Sequence, residues 1–98
     1  MQPKFVYLLW QHEESGPEDL MATLDKGNLL AMFDRWYEAC RGQNPHVTGD
    51  WLERCKKQEA EYRAALAEKL SLPDQEEIYP LTKGWGGWHF QIKELDVS

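Results

Sequence analysis

His12-Glu13-Glu14, followed by Glu18 and Asp19, is the densest run of metal-capable side chains in the chain. An imidazole among carboxylates suits zinc or manganese. All five fall in one hydrophilic stretch, and no second motif at ligand spacing joins them. They read as a solvated turn, so no metal or cofactor is expected. His46 and His89 are isolated; His89 sits on the polar side of an alternating segment, where a surface histidine is the default. Cys40 and Cys55 form no CxxC. Two cysteines with distant histidines do not define a zinc centre, and a Cys–His nucleophile would need a base delivered by the fold. Gly84-Trp85-Gly86-Gly87 precedes a strand rather than a helix and lacks the Lys-Ser/Thr of a phosphate loop. No catalytic residue is assigned, and the chain is read as a non-enzyme.

What remains is aromatic. The chain has five tryptophans, Trp10, Trp36, Trp51, Trp85 and Trp88, within 98 residues. An indole is large and its N–H needs a partner, so a small core has difficulty enclosing five of them. Some of this area is expected at the surface, where tryptophan anchors protein interfaces. Tyr79, Leu81, Trp85 and Trp88 put stiff apolar groups beside a glycine-rich loop and are the expected binding residues. The alternative is that the loop folds back and these groups cover one end of a sheet.

Composition limits the partners. Residues 1–49 carry four basic and seven acidic side chains, and residues 50–98 carry seven and ten, for a net charge of −6. Without a basic patch to displace counterions, direct nucleic-acid binding is disfavoured. The apolar run Phe5 to Trp10 is too short for a membrane span or a signal segment. With two cysteines on predicted helices, a reducing, cytoplasmic setting is expected. The length fits a single domain over residues 1–98.

Several elements must position these groups. Phe5 to Trp10 is a strand, apolar on both faces and therefore central or covered on both sides. Gln11 to Asp19 reads as a loop, and Leu20 to Leu24 as a weaker strand paired antiparallel with the first. Asn28 caps a helix whose apolar face is Leu29, Leu30, Phe33, Trp36, Tyr37 and Cys40, with Gly42 as its stop. A second helix starts near Asp50 and ends before Pro73, carrying Glu53–Lys57 and Glu59–Arg63 as i, i+4 pairs. Its apolar stripe is Trp51 or Leu52, Cys55, Tyr62, Leu66 and Leu70. Residues 73–87 form a long loop, with a helical turn at Asp74 to Ile78. Trp88, Phe90 and Ile92 alternate with His89, Gln91 and Lys93 in a final strand, whose phase shifts before Leu95 and suggests a bulge or an end. The fold class is α+β: a three-stranded antiparallel sheet in the order β-β-α-α-β with two helices packed on it.

The segments Val6-Tyr7-Leu8-Leu9-Trp10, Ala22-Thr23-Leu24-Asp25 and Trp88 to Asp96 resemble a group of small bacterial and phage domains. Those are built as a strand pair, a helix and a final strand with an acidic tail. The resemblance spans the first forty residues and the last eleven, and implies no reaction, ligand or catalytic residue. The expected function is a non-catalytic module that docks to another protein, such as a bacterial or phage inhibitor, immunity or adaptor factor. One alternative is a metal-dependent hydrolase or metal carrier using His12, Glu13, Glu14 and His89. Another is a structural protein that self-associates as a homodimer through an edge strand, Leu20–Leu24 or Trp88–Val97.

Overall fold

A computed structural model describes residues 4–13, 16–81 and 87–95, and the side chains of 12–19 are outside the description. The element order is β1 (Lys4–Glu13), β2 (Gly16–Thr23), α1 (Asn28–Gln43), α2 (Gly49–Leu70), β3 (Glu77–Pro80) and β4 (Gly87–Leu95). The strands form one antiparallel sheet in the order β2-β1-β4-β3. The class is α+β, as expected, but the sheet has four strands rather than three.

The additional strand is Glu77–Pro80, within the stretch expected to be loop and where a helical turn was expected. Its sequence, Glu-Ile-Tyr-Pro, has two strand-favouring residues, Ile78 and Tyr79, but is too short to show an alternation. It is extended because β4 offers an open edge: Ile78 pairs with Gln91 and Tyr79 with Phe90. Pro80, which cannot donate to a ladder, is tolerated at the end of an edge strand. The approach to β3 is pinned by Asp74, which accepts the Tyr7 hydroxyl at 2.9 Å and Lys26 Nζ at 3.0 Å. Lys26 also donates to the Leu72 carbonyl. Burial first, then the bond to Asp74, pushes the Tyr7 phenol above its ordinary pKa.

β1 is central, as its apolarity requires, and longer than expected. Its pairing with β2 extends through Glu13 opposite Gly16, so most of the expected Gln11–Asp19 loop is strand. The ladder slips between Leu9 and Gln11. β4 pairs with β1 without interruption from Gly87 to Leu95, so no bulge precedes Leu95. Leu95 simply falls on the other face.

Tyr7 and Leu9 of β1 lie opposite Ile92 and Phe90 of β4 and face the helices. With Trp88, Leu29, Phe33, Leu66 and Leu81 they make the core. Both helices cover this one face. Among the described residues no helix lies over the other face, which bears Val6, Leu8 and Trp10.

The helix ends differ from expectation. Asn28 is inside α1; the preceding turn is held by Asp25, whose Oδ1 accepts the Gly27 N–H at 3.0 Å. The chain runs past Gly42, and Asn44 closes α1 by donating from Nδ2 to the Cys40 carbonyl. Gly49, at φ 64°, lets the chain turn into α2. The expected Glu59–Arg63 pair within α2 gives way to pairs across the hairpin. Glu59 pairs with Arg41 and Asp34 with Arg63, so both bonds tie α2 to α1.

α2 has 22 residues, a length of about 33 Å. Its contribution to the core is Leu66, near its end. From Cys40 through Lys56 no residue is buried. The hairpin therefore projects beyond the sheet, and the molecule measures 52 × 25 × 22 Å. Among the described residues no helix is long and apolar enough to cross a membrane.

Truncating a core ring and an outer-face side chain should separate the two faces energetically. Phe33→Ala is expected to cost about 3–5 kcal/mol in urea unfolding, whereas Leu20→Ala should stay within about 0.5 kcal/mol.

Candidate functional site

The last turns of α1 and the first turns of α2 face each other across an apolar groove of about 600 Å³. α1 contributes Trp36, Tyr37, Cys40 and Arg41, an i, i+4 stripe continued by Asn44. α2 contributes Trp51, Leu52, Cys55, Lys56 and Glu59, with the same spacing. Pro45, His46 and Val47 of the connecting loop close the end. The helical period thus places one stripe of each helix on the shared side. The groove is open because the hairpin has left the sheet behind at this level.

Its floor is continuous with the core. The Trp88 indole is buried, with 1% of its surface exposed. It meets Trp36 edge-on at 5.0 Å between ring centroids and Phe33 at 5.7 Å. Its Nε1 donates to the Tyr37 hydroxyl at 3.0 Å. Tyr37 also packs on Phe33 at 4.8 Å and Trp36 at 4.9 Å. Burial pushes the Tyr37 phenol up to about 12, against a smaller opposing effect of the Trp88 N–H, which favours the phenolate. At the mouth stands Trp51, 61% exposed. The rim is polar: Arg41 with Glu59, the exposed Lys56 and the exposed His46. Both cysteines line the groove, Cys40 half-buried and Cys55 exposed. A mostly apolar concavity with few polar groups at its edge suits an inserted apolar side chain.

The expected binding residues lie elsewhere. Tyr79, Leu81 and Trp88 come together at one end of the sheet, but they face inward. Trp88 and Leu81 are buried. Tyr79 is half-buried, stacked on Phe90 at 6.0 Å with Lys69 Nζ over its ring at 5.5 Å. The cause is the β3–β4 ladder, closed by the Leu81 N–H donating to the Trp88 carbonyl, which places these side chains on the helix-facing side. The covering role describes these three. Trp85 lies outside the described residues. So does Glu14 of the acidic run, whose other members sit on β1 and β2, where His12 pairs with Pro17 and Glu13 with Gly16. His89 is on the outer sheet face, stacked on Trp10 at 4.5 Å. Among the described residues no three His, Cys, Asp or Glu gather as a metal site.

Trp51 was one of two choices for the stripe of α2. Phase does not separate them, since each lies about 50° to one side of the mean direction of Cys55, Glu59, Tyr62 and Leu66; in the structure both line the groove, Leu52 half-buried and Trp51 exposed. No family model matches the chain, and neither the curated proteins nor the solved structures contain a significant match to it.

Tyr37→Phe tests the link between groove and core. The folded state favours the neutral phenol, so its contribution to stability is full below about pH 10 and is lost as pH rises towards about 12. Absorbance titration at about 295 nm should show a late phenolate wave that the variant lacks. The variant should also lose about 1–3 kcal/mol, because the Trp88 N–H is left without its acceptor.

Proposed function

We propose that this chain is a non-catalytic binding module that docks another protein by taking an apolar side chain of that partner into the groove between α1 and α2. The observation that carries the proposal is Trp51, a large indole left mostly in water beside an apolar concavity. Folding gains little from an indole in that position, whereas a partner could bury it at low entropic cost. The second support is the plan of the hairpin. Residues 40–56 contribute nothing to the buried core, yet they are held in register by Arg41–Glu59 and Asp34–Arg63. A preformed groove costs less to fill than one that must order on binding. The rim, with Arg41, Lys56 and His46, departs from the overall charge of −6 and would meet a polar or acidic border on the partner.

Retention of cellular proteins by the native chain should be compared with retention by Trp51→Ser and Val47→Asp, after circular dichroism shows that all three fold alike. A specific partner should be held by the native chain and lost about tenfold or more by both variants. A bulky maleimide on the exposed Cys55 should reproduce the loss. If the native chain and both variants retain the same proteins equally, the groove is not the docking site.

A further inference from the structure

The hairpin tip holds a protruding indole and a cavity side by side. Trp51 is 61% exposed at the mouth of the groove, which it lines without filling. The groove, at about 600 Å³, has ample room for one further indole. A surface with a knob next to a hole can mate with its own copy, because a two-fold axis sets each knob against the other hole. The tip also stands at the end of a molecule 52 Å long, so two tips can overlap while the two sheets stay apart. Stacked groove to groove, two such hairpins make a four-helix layer. Trp36 with Cys40 and Trp51 with Cys55, each an i, i+4 pair, are the kind of apolar stripe that four packed helices enclose.

Area and charge both favour a second copy. Residues 40–56 include no buried residue, and by their share of the 6974 Å² total surface they hold about 1200 Å², whereas a stable pair takes about 800 Å² from each partner. The same residues carry Arg41, Arg54 and Lys56 against Asp50 and Glu53, a net charge of +1. The rest of the chain has the other 8 basic and 15 acidic side chains, a net charge of −7. Two such chains repel each other over most of their surfaces and least at their tips. Both signs are present on either side of Trp51: Arg41, Lys56 and Glu59 line the groove, and Arg54, Lys57 and Glu61 line the flank beyond it. Tip against tip therefore opposes no block of like charge, while a strongly acidic or strongly basic partner finds little net charge to match.

We propose that a second copy of this chain occupies the groove, each Trp51 entering the groove of the other chain about a two-fold axis. This rests on the groove reading above and names its occupant: the site of one chain is completed by an indole of the other. Any other protein must displace that indole, so docking and self-association compete for one surface.

Sedimentation equilibrium of the full chain, from about 1 to about 200 µM, tests this. The native chain should form a dimer within that range. Trp51→Ser and Val47→Asp should each raise the dissociation constant about tenfold or more, with circular dichroism unchanged. The first variant lacks the knob and the second the fit of the hole. Their equimolar mixture restores one intact knob and hole, and should associate more tightly than either variant alone. A native chain that stays monomeric, a dimer indifferent to Trp51→Ser, or a mixture no tighter than its components would overturn the proposal. Monomers that still lose a retained cellular protein through Trp51→Ser would overturn self-pairing alone. Failure of the groove itself would show as indifference to both variants in both experiments.

Discussion

The hydrogen bond from Trp88 to Tyr37 is the constraint on which the architecture turns. An indole enclosed this completely would lose the hydration of its N–H with nothing in return unless an acceptor were built into the core. Tyr37 supplies that acceptor from α1, while Trp36 and Phe33 meet the ring edge-on in the geometry its quadrupole favours. One side chain of β4 thereby sets where α1 crosses the sheet and how that helix is rotated. Because Tyr37 is also part of the groove wall, the same bond connects the core to the candidate site.

The consequence is a two-layer domain with all its helices on one side. Tyr7, Leu9, Phe90 and Ile92 find Leu29, Phe33 and Leu66 above them. Val6, Leu8 and Trp10 point to the opposite face, where Trp10 stacks on His89. The core side of a central strand that is apolar on both faces is thus covered by the helices. The hairpin's inner half packs on the sheet and its outer half packs only on itself, which opens a groove between the two stripes.

How far these features were legible depended on the range of the interaction. The period of Leu29, Phe33, Trp36, Tyr37 and Cys40 marked α1, and the alternation of Trp88, Phe90 and Ile92 marked β4, because side-chain spacing reports which face is buried. Glu77–Pro80 carried no such mark: its extended form comes from pairing with the edge of β4, a contact between segments. Likewise the i, i+4 spacing of Glu59 and Arg63 suggested a bond within α2. Once α1 lies alongside, Arg41 and Asp34 offer those charges better-placed partners. The candidate site was the least legible part. The excess of indoles pointed to some tryptophan at the surface, as Trp51 is; of the two read as binding residues, Trp88 is buried and Trp85 lies outside the described residues.

The sequence by itself determined the α+β class, the central place of β1, both helices and the inward set of β4. These follow from local periodicity and from the large area its apolar residues must bury. Only the tertiary structure decided the fourth strand, the inward turn of Tyr79, Leu81 and Trp88, the groove at the hairpin tip and the packing of both helices on one face of the sheet. Each depends on which elements stop short of one another, and no pattern along a single segment encodes that.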